Sequence, residues 1–136
     1  MSVPMKTQAG MRSRETEPEL LPFVKLLVSD GERSARAYEA LGFERVQAEP
    51  PFIHLRWNES ADVYLVSLPP GANLEGKRGL GVLVGFRAGA EGIDEVSTRA
   101  QEQGLSVDGP TRQPWNTREL VITDPDGYRL NFIEPA

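Results

Sequence analysis

The chain has 136 residues, enough for one domain with a substantial core and too few for two ordinary independent domains. It contains no cysteine, which excludes disulfides, thiolate metal sites and thiol nucleophiles. Its net charge of -5 argues against a nucleic-acid partner, and no apolar run approaches the length that would cross a membrane.

Residues 1–20 are polar, mixed in charge and without the apolar segment of a secretory signal. They predict a disordered leader in front of a single domain over residues 21–136. Because no targeting signal is present, we expect a cytoplasmic protein.

The first half of the domain predicts a strand, a helix and three more strands. Phe23–Ser29 alternates between two faces, which is typical of a strand. Asp30–Leu41 predicts a helix, with Ser29 and Glu32 at capping-box spacing and Gly42 at its end. The next strands are predicted at Glu44–Ala48, Phe52–Trp57 and Ala61–Leu68.

The same order repeats after a linker at residues 69–79 that is rich in Pro, Gly and charge. Gly81–Phe86 predicts a strand, and a helix with one apolar face ends at Gly104. The last three strands are predicted to begin at Leu105 and to lie at Glu119–Thr123 and Tyr128–Glu134.

The two final strands are joined by Asp124-Pro125-Asp126-Gly127, whose residues favour a type I turn. The chain therefore predicts an α+β fold of two βαβββ modules, at about residues 21–68 and 80–134. Two such modules side by side would form a curved mixed sheet with a concave cleft, in which we expect a ligand.

Three features resemble a known family: the opening FVKLLVSDGERSARAYEALGFERV, the repeated module and the closing QPWNTRELVITDPDGYRLNFIE. They are similar to the superfamily of glyoxalases, bleomycin-resistance proteins and extradiol dioxygenases, and the closing segment is most similar to bleomycin-resistance proteins. The resemblance implies the vicinal oxygen chelate fold, a small organic ligand and a homodimer with clefts built by both chains.

Metal-dependent members of that superfamily hold a divalent ion with a His on the first strand and a Glu or Gln on the last strand of each module. Carried over to this chain, those positions fall on Phe23, near Tyr64, within Val82–Gly85 and on Asn131. These positions do not make a tight transition-metal site, because they hold an aromatic ring, a phenol, an aliphatic side chain or glycine, and a carboxamide. The resemblance therefore implies no metal ligand and no cofactor.

Two side chains stand out as candidate ligand contacts, each with a structural alternative. His54 is the only histidine and is either a general base or ligand contact, or a half-buried strand residue bonded to a neighbour; no carboxylate is evident near it. Trp115 is either a platform for a flat ring or a lid over the sheet edge, while Trp57 is expected at an edge or dimer contact.

Only one of Glu119 and Arg118 can face the cleft; Glu119 is a candidate acceptor for a cationic or amide-rich ligand, and the structural alternative is a solvated or cross-strand ion pair. Lys25 and Phe52 lie on strand faces predicted to face the cleft. The predicted ligand-binding residues are Phe23, Lys25, Phe52, His54, Tyr64, Trp115, Glu119 and Asn131.

The leading hypothesis is a metal-independent binding protein that sequesters an aromatic or cationic compound at a dimer cleft. The alternative is an enzyme of the same superfamily, such as a lyase, isomerase or dioxygenase. For that alternative, the candidate catalytic residues are His54, Glu119 and Tyr64. A third hypothesis is a small-metabolite sensor that uses the same cleft.

Overall fold

The computed structural model describes residues 20–72, 76, 78, 81–88 and 92–136. The leader predicted at residues 1–20 lies outside the described residues except for Leu20, as does part of the linker predicted at residues 69–79. Within the described residues, the structure confirms the α+β fold of two βαβββ modules.

Module 1 consists of β1 (Val24–Val28), α1 (Gly31–Leu41), β2 (Glu44–Glu49), β3 (Phe52–Trp57) and β4 (Ala61–Ser67). Its four strands form one sheet in the order β1-β4-β3-β2. β1 runs parallel to β4, because α1 carries the chain back, and the other pairs are antiparallel hairpins.

Module 2 repeats the plan with β5 (Val84–Arg87), α2 (Ile93–Glu102), β6 (Ser106–Arg112), β7 (Thr117–Thr123) and β8 (Arg129–Pro135). These strands form a second sheet in the order β5-β8-β7-β6, again with the first strand parallel to the last. The hydrogen bonding of the described strands therefore divides them into two four-stranded sheets.

The start of α1 differs from the prediction. Asp30 is the N-cap, and its carboxylate accepts a hydrogen bond from the backbone N–H of Arg33 at 3.1 Å. The Ser29 hydroxyl instead donates to Asp126 of module 2, so the predicted capping box was wrong. The end of α1 is as predicted, since Gly42 has φ 138 and its N–H returns to the last turn.

A single hydrophobic core joins the modules. One face of each sheet packs on its own helix, and α1 and α2 contact each other. Trp57, which is partly buried at the edge of this core, packs against Phe43 and Phe132, with ring centroids 5.1 and 6.1 Å away. The core residues from both modules include Leu26, Leu55, Leu65, Ile93, Leu120 and Leu130.

The turn between β7 and β8 also ties module 2 to α1. The N–H of Gly127 donates to the carbonyl of Asp124 at 3.0 Å, which closes the predicted turn. Tyr38 of α1 donates its hydroxyl to the buried Asp124 carboxylate at 2.7 Å. Asp126 accepts a hydrogen bond from the N–H of Ser29, just before α1, at 3.2 Å.

Candidate functional site

The core uses one face of each sheet, so the predicted site residues lie on the opposite faces. In β1, Leu26 and Val28 are buried in the core, while Lys25 and Leu27 point outward. We call this second surface of each sheet its outer face. The outer face of module 1 carries five of the predicted residues, namely Phe23, Lys25, Phe52, His54 and Tyr64.

Four rings form a continuous cluster on the outer face of module 1, which we call the aromatic strip (Phe23, Phe52, His54 and Tyr64). Tyr64 lies at its centre, with ring centroids 5.0 Å from Phe23, 5.2 Å from Phe52 and 4.4 Å from His54. Phe23 is 57% exposed and its ring meets Tyr64 edge to face. The strip is therefore an apolar surface with an open end.

His54 has a carboxylate partner that sequence reasoning missed. Its Nε2 lies 2.7 Å from Oδ1 of Asp62, and since a carboxylate only accepts, Nε2 carries a proton and donates it. Arg56 donates to the same oxygen at 2.7 Å, and these two hydrogen bonds hold the pKa of Asp62 below its usual value. The cross-strand pairing of Arg56 with Asp62 was the signal that could have found it.

The outer face of module 2 carries the remaining three predicted residues in one cluster around Glu119. Its carboxylate accepts hydrogen bonds from Thr117 Oγ1 at 2.6 Å, Trp115 Nε1 at 2.8 Å and Asn131 Nδ2 at 3.5 Å. These donors, Thr117 first, lower the pKa of Glu119 from its ordinary value. Trp115 lies in the turn between β6 and β7 and is 64% exposed, so its indole is accessible to a ligand while the hydrogen bond to Glu119 fixes its orientation.

Arg118 lies on the opposite face of β7 from Glu119. It donates to Glu134 at 2.8 Å and to Asp94 of α2 at 3.2 and 3.1 Å. Arg118 is therefore part of a cross-strand and helix ion pair rather than of the candidate site, and Glu119 remains available on the outer face.

The two clusters are not in contact within the described part of one chain. The opposite, core-facing surfaces of both sheets share one hydrophobic cluster. No hydrogen bond or ring contact among the described residues joins the aromatic strip to Glu119. The structure thus brings the predicted residues together as two half-sites.

The positions where the superfamily holds a divalent ion do not fit one here. Phe23 and Tyr64 fill their part of the outer face with packed rings, and Gly85 has no side chain. The side-chain amide of Asn131 donates hydrogen bonds to Glu119 and to the carbonyl of Leu120. Within residues 20–72, 76, 78, 81–88 and 92–136, no group of three or more His, Cys, Asp or Glu residues could hold a metal ion.

A cavity of about 330 Å³ lies elsewhere, between the β3–β4 turn and the start of α2. Trp57, Phe86 and Phe132 form its aromatic wall, and Gly92 and Asn58 line its rim. It contains none of the predicted site residues. Among the described residues, no helix is long and apolar enough to cross a membrane.

Two βαβββ modules with this strand order define a protein of vicinal oxygen chelate fold. The chain belongs to the Glyoxalase/Bleomycin resistance protein/Dioxygenase superfamily, whose family model matches residues 20–132. No functionally curated protein matches the sequence.

Solved structures with the same fold include both binding proteins and a resistance protein. TnmS3, an antibiotic binding protein from Streptomyces sp. CB03234, is 26% identical, with 88% of this chain and 98% of that one covered and a TM-score of 0.66. A bleomycin-binding protein complexed with bleomycin is 20% identical (87% and 100% covered, TM-score 0.65). The fosfomycin resistance protein FosX from Mesorhizobium loti is 19% identical (88% and 95% covered, TM-score 0.69). The last two likenesses show the fold alone.

Proposed function

We propose that this protein is a metal-independent small-molecule binding protein that sequesters an aromatic or cationic compound at a cleft between two copies of the chain. Superfamily membership and the likeness to an antibiotic binding protein support a binding role. A cytoplasmic location is part of the same proposal.

The aromatic strip is the observation that carries this proposal. It occupies the outer face on which Phe23 and Tyr64 replace the metal ligands that the superfamily resemblance implies. A flat ligand that covers about 100 Å² of this surface would gain about 2.5 kcal/mol from apolar burial, before the cost of ordering the ligand. Such a ligand needs no metal and no bond chemistry to be held.

The Glu119 cluster would supply the second half of the site. Because Glu119 holds the indole of Trp115 at 2.8 Å, the ring is oriented before a ligand arrives, which lowers the ordering cost. The carboxylate with its lowered pKa stays ionised, so it also offers an acceptor to a cationic or amide group.

A second copy of the chain would join the two half-sites. A two-fold dimer repeats the same contacts, so the aromatic strip of each chain would face the Glu119 cluster of its partner in two equivalent clefts. This arrangement is favoured because no hydrogen bond or ring contact among the described residues joins the two clusters within one chain. It predicts one ligand per chain and two per dimer.

Bleomycin is the probe for a first test, with the two tryptophans as reporters. Trp115 is exposed on the outer face of module 2, whereas Trp57 is partly buried against the core, so we expect bleomycin to quench the fluorescence of the wild type and of Trp57→Phe. Trp115→Ala should lose the quenching and weaken the calorimetric Kd at least about tenfold. Quenching that persists in Trp115→Ala would exclude this residue as the platform.

The metal requirement can be tested on the same samples. Purified protein should contain far less than one transition metal per chain, and binding should be unchanged after dialysis against a chelator. Stoichiometric metal, or binding lost on chelation and restored by a divalent ion, would contradict the proposal.

The His54–Asp62 pair favours a second candidate function, a metal-free enzyme of the superfamily. Asp62 fixes the proton on Nε2, which leaves Nδ1 of a neutral ring as a base. However, the His54 side chain is only 11% exposed beneath Tyr64, and the lowered pKa of Glu119 makes that residue a weak base. Mass spectrometry of the compound after incubation with the protein distinguishes the two functions. A compound that is recovered unchanged supports binding, whereas a chemical conversion that is lost in His54→Gln supports catalysis.

A further inference from the structure

A groove of about 540 Å³ lies between the first strands of the two modules. We call it the edge groove, because β1 pairs only with β4 and β5 only with β8, so that each presents an unpaired strand edge. At one end, the Tyr128 hydroxyl donates to the carbonyl of Leu27 on β1 at 2.7 Å and holds the two modules together. A groove of this volume is of the size that small-molecule ligands occupy.

The charge of the edge groove is opposite to that of the chain. Lys25, Arg78 and Arg129 line it, and among the described residues no acidic side chain does, although the chain has 20 acidic and 15 basic residues. Such a cluster of like charges creates a local potential that attracts anions.

The basic side chains are not neutralised by ion pairs within the described part of the chain. The Lys25 ammonium lies over the face of the Phe23 ring, 6.0 Å from its centroid, Arg129 is exposed, and neither forms an ion pair with a described residue. Arg78 donates to two backbone oxygens, Asp126 O at 2.6 Å and Gly76 O at 3.3 Å, which fix the guanidinium without cancelling its charge. Two exposed cations and one cation held by hydrogen bonds therefore line the groove.

The walls between these cations are apolar. Phe23, Val82 and Leu83 are large hydrophobic residues that line the groove, and they are 57%, 63% and 49% exposed. Exposed apolar side chains next to unpaired cations are suited to a ligand with both characters.

We propose that the edge groove binds an organic anion, a carboxylate, sulfonate or phosphate group on an apolar or aromatic body. The anionic group lies among Lys25, Arg78 and Arg129, and the apolar body lies against Phe23 and Leu83. The groove shares Phe23 and Lys25 with the function proposed above. It differs by the two arginines, which neither half-site contains, and it needs no second chain.

Two fluorescent probes of similar shape separate charge from apolar contact. Anilinonaphthalene sulfonate carries one negative charge, and the related phenyl-naphthylamine carries none. We expect the wild type to bind the sulfonate at least about tenfold more tightly than the amine at low salt, and the difference to shrink at about 1 M salt.

Substitutions then locate the charge effect. Arg129→Gln and Lys25→Gln should each weaken sulfonate binding about tenfold, the size of a lost hydrogen bond to a charged group, and leave amine binding unchanged. Arg36→Gln is the matched control, because this arginine is 67% exposed on α1 and only reaches Glu32, at 3.8 Å. It should bind both probes like the wild type.

Three results would overturn the proposal: equal affinity for the two probes, Arg129→Gln and Lys25→Gln variants that bind the sulfonate like Arg36→Gln, or a change of oligomeric state in Arg129→Gln. The last would show that a second copy of the chain covers the groove. Failure here is distinct from failure of the proposed function, because Trp115→Ala should abolish bleomycin quenching and leave sulfonate binding intact.

Discussion

Replacement of Tyr38 by Phe isolates the hydrogen bond that joins the two modules inside the core. Tyr38 is fully buried, and its hydroxyl donates to Oδ2 of Asp124, which is 5% exposed, at 2.7 Å. The other two donors to Asp124, the N–H groups of Asp126 and Tyr128, both bind Oδ1. The substitution therefore removes one oxygen atom and leaves Oδ2 of a buried carboxylate without this donor.

We expect the free energy of unfolding to fall by about 2 kcal/mol at neutral pH, because hydrogen bonds to buried charged groups contribute roughly 1.5–3 kcal/mol. The cost should depend on pH. Burial raises the pKa of Asp124, and the Tyr38 hydrogen bond opposes that rise, so the variant raises it further. A carboxyl group with a raised folded-state pKa favours folding when protonated, and this contribution is lost as the pH rises through the folded pKa. The difference between variant and wild type should therefore be greatest at neutral pH and smaller in acid.

Urea unfolding followed by circular dichroism, at neutral pH and at about pH 4, measures both quantities. Tyr128→Phe is the matched control, since its hydroxyl donates at the same 2.7 Å to the neutral carbonyl of Leu27. It should cost about 1 kcal/mol at either pH. A Tyr38→Phe cost no larger than that of Tyr128→Phe, or one that does not decrease in acid, would refute the reasoning.

Three further outcomes follow from the outer faces. Asp62→Asn should lower stability by about 1 kcal/mol at neutral pH, measured by thermal unfolding. The pKa of Asp62 is lower in the folded state than in the unfolded state. Its contribution to the free energy of unfolding is therefore present above the unfolded-state pKa and is lost as the pH falls through the folded-state pKa. Wild type and Asp62→Asn should then have similar stability in acid. Glu119→Gln should replace a charged acceptor with a neutral one and loosen the Trp115 indole, seen as lower fluorescence anisotropy in a Trp57→Phe background. Light scattering should give twice the 15.0 kDa of one chain, and a monomer at all concentrations would contradict the dimer cleft.

Local sequence patterns predicted most of the elements, since each has a strong periodic signal. The alternation in β1, β3 and β4 and the apolar face of α1 appear in the structure within one or two residues of the predicted bounds. The end of β6 could not be predicted in this way, because Gly109-Pro110 is a usual strand breaker. The strand continues to Arg112 through a shift in register, where Gly109 has φ 102 and an added Cβ would lie 2.6 Å from the carbonyl oxygen of Glu119.

The candidate site was predictable only where the alternation of side chains along one strand decides which face a residue occupies. Alternation predicted that Phe52 and His54 share a face, and the structure agrees. The partner of His54 depends on the register of the β3–β4 hairpin, which sets Arg56 opposite Asp62. Alternation within one strand does not give that register, so Asp62 was missed. The cluster of Trp115, Glu119 and Asn131 also depends on contacts between separate elements. Glu119 on β7 accepts hydrogen bonds from Trp115 in the preceding turn and from Asn131 on the neighbouring strand β8.

The hydrogen bonds at the helix starts show how the repeated plan becomes an asymmetric molecule. In both modules a side chain of the last strand accepts a hydrogen bond from the start of its own helix. The N–H of Gly31 donates to Ser67 Oγ at 2.9 Å, and the N–H of Ile93 donates to Glu134 Oε1 at 3.0 Å. Among the described residues, the start of α1 also receives a carboxylate from the other module, that of Asp126, which accepts from the N–H of Ser29 directly after β1. At the corresponding place beside α2, the turn between β3 and β4 leaves the cavity of about 330 Å³. The β7–β8 turn therefore fixes the end of β1, which pairs with β4, the strand that carries Tyr64 of the aromatic strip. A change in this turn should disturb the half-site of module 1 more than the half-site of its own module.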